Sequence, residues 1–410
     1  MGDWLGTTIE LDVTNIAHGG VSVARFDGRV VFVADAIPGE RVLARVSSDS
    51  KKSFWRAETV EVLEPSPHRR DHVWDAAALD RDPADRAGGA EFGHIELGHQ
   101  RELKRQVVTD SLQRMARIDR DVTVEPVAGD DQRGGTGWRT RVRLHVDDQG
   151  QPGPYAARSH RVIPVTSLPL ATDELAAAAP LAERFPGFDS VDVLSPSTGG
   201  ARLIVGAQKP SVITERVGDR EFRLADSGFW QVHRGAAVVL TEAVQRAIRP
   251  ELFDPQAANL DLYGGVGLLA AAVADRFGPT TRITTVESDA TATDFAASNL
   301  AEWLGARAET GRVERWMAAL AASAGSSERQ RLARATVVLD PPRAGAGREV
   351  VEVLAGLTPA QVVYVACDPV AFARDAALLA DLGYPLVELR AFDLFPHTHH
   401  VEAVGTFVRA

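Results

Sequence analysis

The chain has 410 residues, more than one compact core usually holds, so we expect two or three domains. Its 45% hydrophobic and 25% charged residues are typical of a globular protein and exclude a disordered or fibrous chain. The single cysteine, Cys367, excludes an internal disulfide framework, and the net charge of −11 argues against a polyanionic partner unless basic residues cluster locally.

The N-terminal residues MGDWLGTTIELDV lack the basic flank and the apolar core of a secretory signal. No apolar run approaches the roughly eighteen residues of a membrane-spanning helix. We therefore expect a cytoplasmic protein that makes no membrane contact.

Residues 1–62 contain short stretches of alternating β-branched and polar residues, separated by Gly and Pro. The pair Asp27-Gly28 favours a hairpin turn. This spacing predicts a small five-stranded barrel of the oligonucleotide-binding (OB) type. Such barrels bind nucleic acid in some proteins and only pack against other domains in others, and the pattern leaves both roles open.

Residues 63–97 are rich in Pro, Asp, Gly and Ala and are predicted to be a linker. Residues 98–225 are predicted to form a central α+β subdomain, which begins with a helix over 99–118 and continues with strands. A second, shorter helix is expected near residues 172–184.

A basic strip is predicted within this subdomain. The run WRTRVRLHV alternates strictly, so Arg139, Arg141 and Arg143 are expected on one face of a strand, with Arg158 nearby in the sequence. Residues 133–161 hold six arginines against two aspartates, a local excess of positive charge in an acidic chain. A solvated edge strand would explain the pattern. We slightly favour an RNA-binding surface.

Residues 226–410 alternate helices with short apolar runs, which predicts parallel strands and an α/β, Rossmann-like sheet. The last two strands follow each other without a helix, so they are expected to form an antiparallel hairpin. This ending resembles the seven-stranded sheet of class I S-adenosylmethionine (SAM)-dependent methyltransferases.

The motif D-L-Y-G-G-V-G at 261–267 joins a strand to a helix, and Gly265 and Gly267 would let the backbone approach a ligand. Glu287 ends the next apolar run, where a carboxylate can bind ribose hydroxyls, and Asp340 opens D-P-P-R at another strand end. Each feature alone is also explained by a turn or a helix cap. Together they favour a nucleoside cofactor. Without a second phosphate-binding glycine motif, SAM is favoured over a dinucleotide.

Cys367 follows the strand QVVYVA and precedes a new helix, on the expected cofactor side of the sheet. A lone cysteine is usually an inert buried residue, but this position suits a nucleophile. Glu402, at the start of the last strand, is a candidate base. A thiolate and a base beside a methyl donor indicate methylation of C5 of uracil, because this carbon becomes nucleophilic only after a thiolate adds to C6.

Several stretches carry a clear resemblance. From Ser227 onward, SGFWQVH, DLYGGVG, TTVESD, LDPPRAGAG, YVACDP and FPHTHHVEAV resemble the RNA 5-methyluridine (uracil-C5) methyltransferase family. Residues 9–46 resemble the TRAM domain found at the front of many members. The resemblance implies that Gln231, Tyr263, Glu287 and Asp340 contact SAM. It also implies that Cys367 is the nucleophile and Glu402 the base.

The chain departs from this family at several positions. Many members hold an iron–sulfur cluster with a C-G-G-C stretch, and the corresponding residues 87–90 are A-G-G-A, so we expect no cluster and no metal. The usual S-C-N-P is A-C-D-P here. Gly264, Leu268 and His233 also replace the usual Cys, Asn and Asn.

Three functions stay open from the sequence. The leading one is methylation of a uridine in structured ribosomal or transfer RNA by a monomer, with SAM as cofactor. The second is a class I methyltransferase acting on an exocyclic nitrogen, which Arg343 after D-P-P disfavours because no aromatic residue follows to stack on the base. The third is a degenerate, non-catalytic RNA-binding factor.

Overall fold

The computed structural model describes residues 4–51 and 53–410, so residues 1–3 and 52 of the predicted barrel domain lie outside it. The N-terminal strands close into a barrel in the order β1-β2-β3-β5-β4. Their bounds are β1 Thr8–Ala17, β2 Val21–Phe26, β3 Arg29–Ala34, β4 Arg41–Ser48 and β5 Phe54–Glu64. Asp27 and Gly28 both have positive φ, as a tight hairpin turn requires. The predicted five-stranded barrel is confirmed.

The predicted linker is packed against its neighbours on both sides. Trp74, Ala87 and Ala90 are buried in the core of the central sheet, and Phe92 and Ile95 are buried against the barrel. Two short 3-10 helices lie in this stretch, at Asp75–Ala77 and Pro83–Asp85. The domain boundaries stay a prediction.

Helix α1 (Leu97–Ser111) continues into a π-helical turn over Leu112–Ala116. Its buried Lys104 donates a hydrogen bond to Phe395 O at 3.0 Å and forms an ion pair with buried Asp393. Arg101 on the same helix approaches Asp393 at 3.3 Å. Helix α1 is therefore joined to the C-terminal sheet through a buried carboxylate.

The central subdomain holds a four-stranded sheet in the order β10-β9-β7-β8 and a separate hairpin of β11 with β12. Helix α2 (Asp173–Ala178) packs on this sheet. The strands after α1 are β6 Val124–Pro126, β7 Arg141–Val146, β8 Pro152–Gly153, β9 Ser190–Leu194, β10 Arg202–Val205, β11 Val212–Val217 and β12 Arg220–Ala225.

The C-terminal sheet has the order β15-β14-β13-β16-β17-β19-β18-β6. Its strands are β13 Asn259–Leu262, β14 Ile283–Glu287, β15 Ala306–Thr310, β16 Thr336–Leu339, β17 Gln361–Ala366, β18 Leu386–Asp393 and β19 Glu402–Val408. Six of these strands run in one direction, and β19 runs antiparallel to them between β17 and β18. The seven-stranded sheet and its final hairpin are confirmed. Strand β6 adds an eighth, which the sequence did not predict.

Helices cover both faces of this sheet, and a hydrophobic core lies on each side. The helices are α3 Ala236–Ala247, α4 Leu268–Phe277, α5 Ala290–Asn299, α6 Val313–Ser323, α7 Ser326–Leu332, α8 Gly347–Gly356 and α9 Pro369–Asp381. Strand β17 is buried along its whole length, as a central parallel strand should be. Among the described residues, no helix is both long and apolar enough to cross a membrane.

Candidate active site

Neighbouring parallel strands bring their carboxyl ends to one edge of the sheet. Leu262 at the end of β13 pairs with Val286 and with Leu339, and Leu339 pairs with Tyr364 of β17. Ligands of open α/β sheets bind beyond such strand ends. The predicted site residues at or just past these ends are Tyr263, Glu287, Asp340 and Cys367.

The candidate nucleophile and base come together through strand pairing. Ala366 of β17 pairs with Ala403 of the antiparallel β19. One residue further along this register, Cys367 lies across from Glu402, and opposed residues of antiparallel strands have Cα atoms about 4.5–5.5 Å apart. Residues 35 positions apart in the chain thus become neighbours at the sheet edge.

The glycine motif forms a tight loop between β13 and α4. Tyr263, Gly265 and Gly267 all adopt positive φ, of 64°, 54° and 89°. The Gly264 N–H donates to Val286 O at 3.1 Å, and the Gly267 N–H donates to Gly264 O at 2.9 Å. Gly267 caps α4, whose first N–H groups therefore face the loop.

The Glu287 carboxylate is fixed across this loop. One oxygen accepts a hydrogen bond from the Gly265 N–H at 3.2 Å. The other accepts from the N–H groups of Ser288 and Asp289 at 2.6 and 2.9 Å. A half-buried carboxylate held in this way is suited to accept hydrogen bonds from ribose hydroxyls.

Gly264 lies too close to β13 and β14 for any side chain. A Cβ built on it would stand 1.9 Å from Thr285 Oγ1 and 2.5 Å from Asp261 Oδ2. Thr285 in turn donates to Asp261 Oδ2 at 2.9 Å, while buried Asp261 Oδ1 has no hydrogen-bond partner among the described residues. Burial raises the pKa of Asp261 to about 7. This crowded glycine cradle, the unpaired buried oxygen and the nearby Glu287 fit a nucleoside ligand such as SAM.

Cys367 is half-buried and not enclosed in the core. Burial, together with the neighbouring carboxyl groups of Glu402 and Asp340, raises the pKa of its thiol to about 12, while the Arg343 guanidinium opposes the rise. The free protein therefore holds Cys367 as a thiol at neutral pH.

The two carboxyl groups beside Cys367 also have raised pKa values. Burial and the neighbouring Asp261 raise the pKa of Asp340 to about 7. Burial and Asp340 hold the pKa of Glu402 well above its ordinary range. Repulsion between two such groups means that one retains a proton near neutral pH while the other can accept one.

Arg343, which sequence analysis used only to weigh the alternatives, belongs to this site. Its guanidinium donates a hydrogen bond to His400 Nε2 at 3.2 Å. Burial lowers the pKa of His400 to about 3, so the ring is neutral and can accept that bond. The loop that carries Arg343 is held by buried Asp375, whose carboxylate accepts hydrogen bonds from the Ala346 N–H and the Tyr364 hydroxyl, both at 2.8 Å.

His18 of the barrel contacts the residue that follows the candidate nucleophile. This residue lies in the loop between β1 and β2, and its Nε2 stands 3.1 Å from Asp368 Oδ2. Asp368 follows Cys367 and caps α9 by accepting hydrogen bonds from the N–H groups of Val370 and Ala371. The aspartate of A-C-D-P thus holds the loop after Cys367 from two sides, a contact that the sequence did not reveal.

Gln231 lies half-buried in a segment that pairs with the central subdomain. The Thr140 N–H donates to Val232 O at 2.8 Å. Buried His233 accepts from the Gly235 N–H at 3.0 Å through Nδ1, so its Nε2–H donates to buried Asp130 at 2.9 Å. This pair holds the Gln231 segment in place.

The four arginines of the predicted basic strip have different surroundings. Arg141 is largely buried and donates to Gly228 O at 2.7 Å. Arg143 forms a two-pronged ion pair with Asp192, both bonds at 2.7 Å. Neither Arg139 nor Arg158 has a side-chain hydrogen bond or ion pair within residues 4–51 and 53–410, so these two have unused donors. RNA contact by the strip stays a prediction.

Within the described part of the chain, no group of three or more His, Cys, Asp or Glu side chains is arranged to hold a metal ion. The fold, the glycine cradle and the strand-end acids together define a class I SAM-dependent methyltransferase.

Comparisons with known proteins identify the family. The tRNA (uracil-5-)-methyltransferase model matches residues 214–410, and the TRAM domain model matches residues 4–60. An uncharacterized RNA methyltransferase of Streptomyces avermitilis is 37% identical over 98% of both chains. One from Bifidobacterium longum is 34% identical over 98% of this chain and 96% of its own.

A solved structure shares the overall fold. It is the tRNA (uracil-54, C5)-methyltransferase of Pyrococcus abyssi in complex with S-adenosyl-L-homocysteine, with a TM-score of 0.67 and 20% identity over 97% of this chain and all of that one. The chain belongs to the tRNA (uracil-5-)-methyltransferase family and is a SAM-dependent RNA methyltransferase with an N-terminal TRAM domain.

Proposed function

We propose that this protein methylates C5 of a uridine in structured transfer or ribosomal RNA, acting as a monomer in the cytoplasm. The observation that carries the proposal is the pairing of β17 with β19, which sets Cys367 across from Glu402 beside Asp340. Methylation of a nitrogen lone pair needs no thiol at this position. The half-buried thiol supplies the nucleophile for addition to a pyrimidine ring, and the carboxyl pair beside it supplies a proton acceptor.

Tyr263, Glu287, Asp340 and Gln231 would hold SAM, with Gly265 and Gly267 giving room for its close approach. Bound SAM supplies an electrophilic methyl group. The contribution of the glycine loop is positional, because its fixed N–H groups and the Glu287 carboxylate need no rearrangement to receive a ribose.

The first step is proton removal from the Cys367 thiol by the ionised member of the Asp340–Glu402 pair. The thiolate then adds to C6 of uracil, and the electron pair of the C5–C6 double bond moves toward C5 and the C4 carbonyl oxygen. Arg343, exposed beside Cys367, is placed to favour the negative charge on sulfur.

The last step restores the ring. Once C5 carries the methyl group and the proton taken from the thiol has passed from the acid pair to solvent, Glu402 in its carboxylate form removes the remaining C5 proton. The electrons of that C–H bond re-form the C5–C6 double bond, and the C6–S bond breaks with its electron pair returning to sulfur. Glu402 needs its raised proton affinity for this step, since a base of ordinary carboxylate strength would accept the proton less readily.

The product and two variants test the proposal. Incubation of unmodified tRNA and rRNA transcripts with SAM should give 5-methyluridine as the methylated nucleoside. Cys367→Ala should abolish methyl transfer while SAM binding persists, and Glu402→Gln should lower it at least about a hundredfold. Glu388→Gln, on the paired strand β18, is the matched control and should retain activity.

Other outcomes would contradict the proposal. Methylation on an exocyclic nitrogen that survives Cys367→Ala would assign the second activity considered above. Tight RNA binding without methyl transfer to any transcript would instead indicate a non-catalytic RNA-binding factor.

A further inference from the structure

We propose that a cavity in the central subdomain is a second nucleobase site, which holds one unpaired base of the substrate RNA while the target uridine reaches Cys367. This inference rests on the proposed RNA substrate. The cavity has a volume of about 150 Å³, smaller than the roughly 300 Å³ at which pockets for drug-sized ligands begin, so it suits a single ring system.

The cavity is separate from the catalytic centre. All of its lining residues lie between positions 74 and 171, and Asp340, Cys367 and Glu402 are not among them. A base bound here is therefore not the one that reacts.

Two hydrogen-bond donors at this cavity have no partner within residues 4–51 and 53–410. The Trp74 indole Nε1–H is unpaired but enclosed by protein, so a ligand in the cavity contacts the Trp74 ring and not this donor. The Arg139 guanidinium, 5.1 Å from the centre of the Trp138 ring, also lacks a hydrogen bond or ion pair. Arg139 is half-buried, and this burial lowers its pKa. A ligand in the cavity that accepts hydrogen bonds would satisfy the Arg139 guanidinium.

Two of the neighbouring polar groups are already paired. The Gly88 N–H donates to Tyr155 O at 2.9 Å, and Arg143 is neutralised by Asp192. A phosphate is usually bound by several cations or N–H groups, whereas this cavity offers one unpaired guanidinium. The free donors thus match the carbonyl and ring-nitrogen acceptors of a base better than a phosphate.

The walls have the shape and chemistry of a base-binding slot. Tyr155 is stacked on His145 with ring centres 3.5 Å apart, which fixes its plane. Leu168, Pro169 and Leu170 supply apolar surface on the lining. Unpaired RNA bases bind to proteins between aromatic and apolar side chains, with hydrogen bonds to their edges. Guanine should fit best, because O6 and N7 offer two acceptors to a guanidinium.

A chain of contacts connects the cavity to the nucleophile. The Gly89 N–H donates to Glu91 Oε1 at 3.2 Å, and Glu91 Oε2 lies 3.4 Å from His399 Nδ1. The ring of His399 lies 4.0 Å from that of His400, which accepts from Arg343. The wall of the cavity is thus joined through side chains to Arg343 at the catalytic centre.

Ultraviolet cross-linking tests the proposal. Unmodified tRNA and rRNA transcripts are irradiated with the full chain, digested, and analysed by mass spectrometry for peptides that carry a nucleotide. We expect base adducts on Trp74 or Tyr155 in the wild type and equally in Cys367→Ala. Arg139→Ala should remove these adducts and weaken RNA binding about tenfold. Arg202→Ala, on the edge strand β10 of the same sheet, is the matched control and should change neither.

A second variant covers the case in which Arg139→Ala does not fold, which SAM binding and circular dichroism would reveal. Val142→Phe fills the cavity from strand β7 and should also remove the adducts. Cross-links found only outside the cavity, or unchanged in Val142→Phe, would overturn the proposal. The adducts are also measured in Cys367→Ala, so the cross-linking test does not depend on catalysis. Absence of methyl transfer by the wild type would therefore refute the proposed chemistry without deciding the proposed base site.

Discussion

Replacing Gly264 by alanine should disable the cofactor loop. The added Cβ would stand 1.9 Å from Thr285 Oγ1 and 2.5 Å from Asp261 Oδ2, against an ordinary contact distance of roughly 3.5 Å. The Thr285 side chain cannot yield without losing its 2.9 Å hydrogen bond to Asp261. The loop backbone must therefore move by more than about 1 Å, away from the position that faces Glu287.

The expected cost follows from these contacts. Overpacking of this kind costs about 1–3 kcal/mol, and loss of the Thr285–Asp261 hydrogen bond adds about 1 kcal/mol. A total of about 2–4 kcal/mol corresponds to a fall of roughly 5–15 °C in the Tm of the methyltransferase domain. The affinity for SAM should fall by at least about tenfold, because loop and ligand occupy adjoining space.

Differential scanning calorimetry and isothermal titration with SAM measure the two effects. Gly356→Ala is the matched control, since its Cβ would meet nothing within 4 Å at the end of helix α8. Combining Gly264→Ala with Thr285→Ala should cost less than the sum of the two single changes, because the shorter side chain removes the closest clash. If Gly264→Ala matched Gly356→Ala in both measurements, the reasoning about this loop would be wrong.

Three further predictions concern the residues around the loop. Cys367 alkylation by iodoacetamide at neutral pH should be at least about tenfold slower than for a thiol of pKa 9.0, because its thiolate fraction is about 1000-fold lower and the greater reactivity of a more basic thiolate offsets only part of this. The rate should still be rising at pH 10, and a plateau near pH 9 would contradict the prediction. Lys104→Met should destabilise the chain by about 3–5 kcal/mol in denaturant unfolding, because it deprives buried Asp393 of its closest cation, and a change below 1 kcal/mol would refute this. The His18–Asp368 ion pair raises the pKa of His18 and lowers that of Asp368, and at this exposure it should stabilise the fold by less than about 1 kcal/mol. This stabilisation should be lost as pH rises through the raised pKa of His18 and as pH falls through the lowered pKa of Asp368. If the stability of His18→Ala had the same pH profile as that of the wild type, the prediction would be wrong.

The sequence predicted the barrel, the parallel sheet and the position of Cys367 because each leaves a local pattern. Alternating residues and turn glycines define the strands, and strand ends in a parallel sheet share an edge. The motif spacing placed Glu287 and Asp340 at that edge without any knowledge of packing.

Contacts between distant segments left no such pattern. The pairing of β6 with β18 joins residues more than 250 positions apart, and a three-residue strand is too short to recognise. The contact of His18 with Asp368 depends on how the barrel docks. The basic strip shows the same limit, since alternation could not reveal that Asp192 neutralises Arg143 while Arg139 has no partner in the part of the chain that the structure describes.

Covalent trapping with 5-fluorouridine RNA tests the central claim most directly. Fluorine at C5 cannot be removed as a proton, so the methylated ring should stay bonded to the protein. Denaturing electrophoresis should show a protein–RNA adduct that requires SAM, and mass spectrometry should locate it on Cys367. Absence of an adduct from an RNA whose unsubstituted form is methylated would contradict thiol addition and the account built on it.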